Sequence, residues 1–219
     1  MADGLCPRAP GASGWHGLHV SALPNGRLSS GTRPTALVMG FGPFGSVVDN
    51  PAARLASACV GASGTWEVCG DTMPVSYRRS VEHTARWIST VRPGLVLGIG
   101  VAANRRKPYL ERWGRRCFNP SMPDIDGRLP DWGDSGRRSG RFSRRASRLP
   151  VDALARAAGI EVSDDCGRYV CNGWLYTCLG AFSESLPLGF LHVPMTGWNV
   201  VGICSLLDAF LALEEPPNG

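Results

Sequence analysis

What is scarce in this chain of 219 residues narrows its class before any motif is considered. No apolar run approaches the roughly 20 residues that a membrane-spanning helix needs. The first 34 residues carry scattered Leu, Val and Trp but no apolar signal core, so a cytoplasmic protein is expected rather than an exported one. Histidine is limited to His16, His19, His83 and His192. None of the eight cysteines stands in Cys-x-x-Cys spacing. A zinc-finger pattern and a disulfide framework are thereby set aside, mostly reduced thiols are expected, and no metal or other cofactor is implied. The stretch from Arg105 to Arg148 is strongly basic, with 13 Lys or Arg against 5 Asp or Glu. Its few aromatics (Trp113, Phe118, Trp132, Phe142) do not repeat as a base-stacking platform would, so nucleic acid is not the expected partner.

What is present reads as a globular domain. Hydrophobic residues make up 43% and charged residues 19%, too apolar for a disordered chain. Residues 1–34 hold six Gly, four Pro and four Ser without a period, a composition that reads as a disordered extension. Residues 35–215 then form one domain, with an irregular basic loop at about 119–149. Within it, apolar runs at Ala36–Phe41, at a segment ending at Met73, at Leu95–Val101 and at Gly189–Val193 read as strands. Ile160 and Val162 mark a short strand, and Tyr109–Phe118 reads as extended. Asn50-Pro51 is a helix start. Val81, Ala85, Ile88 and Val91 recur as one helical face, stopped by Pro93-Gly94. Helices are also expected over Pro150–Ala158, from about Cys171, and over Val201–Leu213. This alternation predicts an α/β fold with a largely parallel sheet and helices on both faces.

The chemistry concentrates at strand ends. The turn Asp164-Asp165-Cys166-Gly167 places Cys171 at a helix N-terminus, where unpaired N–H groups favour a thiolate. His192 falls near the end of the last strand, as a base for that thiol would. Phe44 and Val101 fall at strand ends as well, and sites in parallel sheets gather there. The loop GFGPFG at Gly40–Gly45 lacks the Lys-Ser/Thr ending of a phosphate loop, and its aromatics Phe41 and Phe44 read instead as core or as the wall of an apolar pocket.

Those pieces, with MPVSYRRS at Met73, LER at Leu110, PDIDG at Pro123, RLPVDAL at Arg148, GRYVCN at Gly167 and GFLHVP at Gly189, resemble the pyrrolidone-carboxylate peptidases, or pyroglutamyl-peptidase I family, over roughly Thr35 to Leu213. The resemblance implies a three-layer α/β/α sandwich and a cysteine peptidase that removes an N-terminal pyroglutamyl residue through a thioester. It implies Cys171 as nucleophile, His192 as base and Glu111 as orienting carboxylate. Phe41 and Phe44 would hold the pyroglutamyl ring, with Val101 and Val170 beside it. The implied partners are N-terminally pyroglutamylated peptides, with homo-oligomerisation left open. Departures from the family pattern cluster near Glu111, at Tyr109, Trp113, Gly114 and Arg116; Val101 stands where Gln is common, and Cys166 where Ala is usual. Cys166 reads as a small buried residue or as a thiol able to pair with Cys171 on oxidation. The rival readings are a weakened relative that only binds blocked N-termini, and a basic protein for nucleic acid or an acidic partner.

Overall fold

A computed structural model describes residues 33–132 and 143–214. The expected extension at 1–34, but for its last two residues, lies outside the described residues, as does the centre of the expected basic loop. The chain runs β1 (Thr35–Phe41), α1 (Pro51–Ala58), β2 (Glu67–Met73), α2 (Tyr77–Val91), β3 (Leu95–Val101), β4 (Tyr109–Glu111), β5 (Trp113–Arg115), β6 (Arg144–Ala146), α3 (Val151–Ala158), β7 (Glu161–Ser163), α4 (Val170–Ala181), β8 (Leu188–Val193) and α5 (Val200–Glu214).

Six strands form one sheet in the order β2-β1-β3-β8-β4-β7. All neighbours are parallel except β4 and β8, which run antiparallel. Residues of α1, α3 and α5 pack on one face, around Leu55, Leu154, Leu206 and Phe210. Residues of α2 and α4 pack on the other, around Trp87, Trp174, Leu175 and Phe190. The result is the expected three-layer sandwich, with an apolar core on each side of the sheet.

Local chemistry sets the ends of the elements. Asn50 Oδ1 accepts from the Ala52 N–H at 3.0 Å and caps α1, as its Asn-Pro signature predicts. Its Nδ2 also donates to the Gly42 carbonyl at 2.8 Å, so the same residue holds the GFGPFG loop. Two findings differ from expectation. The buried face of α2 is Tyr77, Ser80, Thr84, Trp87 and Ile88, rotated from the apolar stripe. Ser80 and Thr84 can be buried because their hydroxyls donate to the carbonyls four residues earlier, and Thr84 Oγ1 also accepts from Trp174 Nε1 at 3.0 Å. The expected irregular loop ends in a strand: β6 pairs antiparallel with β5 through Gly114–Arg145 and its neighbours.

The basic stretch is largely tied to the domain. Arg112 binds Asp152 through both terminal nitrogens and Asp164 through Nε. Arg145 lies over the Tyr176 ring and donates to the Tyr176 carbonyl. Arg148 donates to the carbonyls of Leu179, Phe182 and Leu186. The guanidiniums of Arg145 and Arg148 cap the carbonyl end of α4. No helix among the described residues is long and apolar enough to cross a membrane.

Candidate active site

Strand alternation puts Phe190 and His192 of β8 on one face of the sheet, towards α4. On parallel β3, Gly98 is paired with Phe190 and Gly100 with His192. A Cβ on Gly98 would stand 2.4 Å from the Trp174 ring, and one on Gly100 would stand 2.8 Å from Cys171 Sγ. The two glycines therefore let α4 settle directly onto the sheet. They leave the Cys171 sulfur over Gly100, beside the strand position that carries His192.

Antiparallel β4 supplies the acid. Tyr109 lies opposite His192 and Leu110 opposite Leu191, which brings Glu111 to the same side. His192 Nδ1–H donates to Glu111 Oε1 at 2.7 Å. Glu111 is fully buried and His192 is nearly so. A carboxylate there needs partners. Arg105 Nη1 donates to the same Oε1 at 2.9 Å, and Nη2 reaches Ser163 Oγ at 3.0 Å and the Asp165 carbonyl at 2.8 Å. Arg105 thus ties β4 to the end of β7 and fixes the acid. Glu111 Oε2 is buried without a hydrogen-bond partner among the described residues.

Cys171 is the second residue of α4, so a helix N-terminus does lie at the thiol. The N–H groups of Val170, Cys171 and Asn172 precede the first intrahelical bond, from Gly173 N–H to the Tyr169 carbonyl at 3.1 Å. The thiol is not acidified as the sequence suggested. Burial pushes it up to about 12, the Glu111 charge adds to the rise, and its own backbone N–H opposes it only weakly. Desolvation outweighs the helix terminus. A thiol raised in this way becomes a nucleophile by giving its proton to a base.

Asn172 anchors this helix start. Its Oδ1 accepts from Arg115 N–H, and its Nδ2 donates to the carbonyls of Arg115 and Cys117, each at 2.8 Å. The amide acts like a strand partner for β5 and locks the residue next to Cys171. Arg105 and Asn172 were missed as site residues in the sequence. Arg105 looked like one more basic residue, and Asn172 like an ordinary helix residue.

The residues expected to bind substrate divide. Phe41 and Val170 belong to the cluster on the Cys171 side, and Phe44 and Tyr169 pack against it. The Phe44 and Tyr169 rings are 6.0 Å apart, and the Phe41 and Phe190 rings 6.1 Å. Phe41 is 2% exposed, so its ring serves the core, while Phe44 is partly open. Val101 is not brought in: it packs against the cluster on the opposite face of the sheet. A cavity of about 530 Å³ lies away from the triad, beside α2, lined by Tyr77, Ile88, Leu129, Trp132 and Phe182 among others.

A cysteine at a helix start, backed by a buried His–Glu pair at the strand ends of a mostly parallel sandwich, has the layout of a cysteine hydrolase. The comparisons make the class specific. The family model described as pyroglutamyl peptidase matches residues 35–206. The pyrrolidone-carboxylate peptidase of Deinococcus radiodurans is 34% identical over 172 residues, covering 74% of this chain and 78% of the relative. That of Halalkalibacterium halodurans is 33% identical over 168 residues, covering 72% and 82%. The solved pyrrolidone carboxyl peptidase from Thermococcus litoralis superposes with a TM-score of 0.71 at 24% identity, covering 82% of this chain and 94% of that one. The pyroglutamyl peptidase I from Bacillus amyloliquefaciens gives 0.69 at 22%, covering 83% and 94%; these structural likenesses speak to the fold. The chain belongs to the pyroglutamyl peptidase family, a family of cysteine peptidases.

Proposed function

We propose that this chain hydrolyses the bond after an N-terminal pyroglutamyl (5-oxoprolyl) residue of a peptide, with Cys171, His192 and Glu111 as its triad and residues 35–215 as its catalytic domain. The observation that carries the reading is the 2.7 Å bond from His192 to buried Glu111, on the sheet face where Cys171 lies over Gly100. A pyroglutamyl ring has no ammonium group, so a site for it is apolar rather than acidic. Phe44 and Tyr169, which are partly open, supply such a surface, while Val170 is fully buried behind them.

The steps follow from the geometry. His192, its Nδ1–H held by Glu111, presents Nε2 as the base. It takes the Cys171 proton as Sγ bonds to the carbonyl carbon after the ring. The oxyanion faces the free N–H groups at the start of α4. His192 then gives the proton to the leaving amine, the C–N bond breaks, and a thioester remains on Cys171. A water molecule, deprotonated by His192, attacks the thioester and releases pyroglutamate and the thiol. Glu111 keeps the imidazole in the right tautomer and steadies its charged form. A reducing cytoplasm is the proposed place of work: six of the seven cysteines among the described residues are free, and Cys69 is disulfide-bonded.

The test compares anilides of pyroglutamate and proline, which differ by the ring carbonyl and the charge on nitrogen. Under reducing conditions the wild type should release aniline from the pyroglutamyl compound alone. Release from prolyl anilide at a similar rate would contradict a site built for an uncharged lactam.

A further inference from the structure

Cys166, where the family pattern has Ala, does more than fill space. It is 3% exposed and sits in the turn between β7 and α4. Its Sγ, a ring nitrogen of His192 and a carboxylate oxygen of Glu111 all lie within 4.8 Å of one another. Thiolate, imidazole and carboxylate are the donor types of a zinc-class ion. A second observation is independent of that clustering. Glu111 Oε2 is fully buried and has no hydrogen-bond partner among the described residues, so the acid has a lone pair to offer without leaving Arg105.

We propose that a thiophilic divalent cation of the zinc class binds at Cys166, His192 and Glu111, and that it holds the enzyme reversibly inactive. The ion has donor distances of about 2.0–2.3 Å, which sets donors about 3.3–3.8 Å apart in a tetrahedral arrangement. Closing from the present spacing needs side-chain movement of about 1 Å, and a water molecule completes the four positions. Cys166 enters as the thiolate and releases its proton to solvent. The thiolate and carboxylate together carry two negative charges against the ion's two positive ones, while the Arg105 guanidinium stays on Glu111 Oε1 at 2.9 Å and leaves the cluster with one positive charge. His192 binds the ion through its one unprotonated ring nitrogen and keeps its single ring proton on the other, so no electron pair remains on the imidazole to take the proton of Cys171. The inhibitory consequence rests on the triad proposed above, whereas the binding does not.

Binding is therefore tested apart from turnover. The Cys171→Ser protein, which lacks the competing nucleophile, is titrated with Co²⁺. One equivalent should produce a sulfur-to-cobalt charge-transfer band and the visible bands of tetrahedral cobalt. Both should vanish in Cys171→Ser/Cys166→Ala, which carries the usual family residue and whose folding is checked by its melting temperature. In enzymes with Cys171 intact, the Zn²⁺ concentration that halves each variant's own metal-free rate should rise at least about tenfold on Cys166→Ala. An identical cobalt spectrum in both serine-background proteins, or no band in either, would overturn the proposal, as would equal zinc sensitivity. If neither enzyme turned over pyroglutamyl anilide while the cobalt band still depended on Cys166, the triad reading would fail and the metal site would stand.

Discussion

The proposed function places its weight on three side chains whose roles separate experimentally. Cys171→Ser or His192→Ala is expected to lower kcat by about 10⁴-fold or more, because neither leaves a working nucleophile–base pair. Glu111→Gln should cost a factor about 10² smaller, since the base survives without its charged partner. Full activity of Cys171→Ser in the anilide assay would remove the assignment. Gly100→Ala is a sharper probe, because the added carbon would press on both Cys171 Sγ and the Phe190 ring at 2.8 Å. A displaced nucleophile should cost about 10²-fold in kcat, and an unchanged kcat would contradict the placement of the sulfur. The raised thiol also makes a pH prediction. The rate of Cys171 alkylation by iodoacetamide in the free enzyme should keep climbing through pH 7–10 rather than level off, since burial pushes the thiol up to about 12. A plateau already reached at neutral pH would show a resting thiolate.

Elements decide whether those residues meet, and here sequence and structure part in instructive ways. Asn172→Ala should destabilise the domain by about 2–3 kcal/mol, because it strips partners from backbone groups of Arg115 and Cys117. Its kcat should fall with its melting temperature; a melting temperature that does not change would mean that the clamp is idle. The strands and helices that frame the site were legible, because apolar runs and the Asn-Pro and Pro-Gly signals are local. The buried face of α2 was not, because Thr84 takes, besides the Ser80 carbonyl, a partner 90 residues away in Trp174. The departures around Glu111 acquire a reason only in three dimensions. A Cβ on Gly114 would stand 2.6 Å from the Tyr176 backbone nitrogen, Trp113 Nε1 donates to Asp164 at 3.1 Å, and Arg116 donates to the Trp132 carbonyl. The proposed triad of Cys171, His192 and Glu111 could be named from its motifs, and the structure brings His192 and Glu111 within 2.7 Å. Arg105 was not, since its partners Ser163 and Asp165 come from β7 and the turn after it, and no local pattern announces them.

For the molecule as a whole, buried thiols sit in both layers. Cys59, in the layer of α1, is pushed up to about 12 by burial and then by Cys204. Cys178, in the layer of α4, is held well above the ordinary thiol range by burial, with Arg148 opposing. Their folded forms keep a proton that the unfolded chain loses above about 8.5. The stability this provides is fully present below that pH and is lost as pH rises from there through the folded values. The melting temperature should therefore fall from pH 8 to pH 10. The fall should be smaller in Cys59→Ala/Cys178→Ala, even though that protein starts from a lower value. Equal falls would show that the thiols do not govern alkaline stability.

The central claim, that one thiol at the start of α4 performs pyroglutamyl hydrolysis, is tested most directly by titrating that thiol. The reduced protein is labelled with substoichiometric iodoacetamide, the label is located by peptide mass spectrometry, and residual pyroglutamyl-anilide activity is measured on the same samples. The expected result is activity that falls in direct proportion to the label on Cys171 and reaches zero when Cys171 is fully modified. Substantial activity in protein fully alkylated at Cys171 would contradict it.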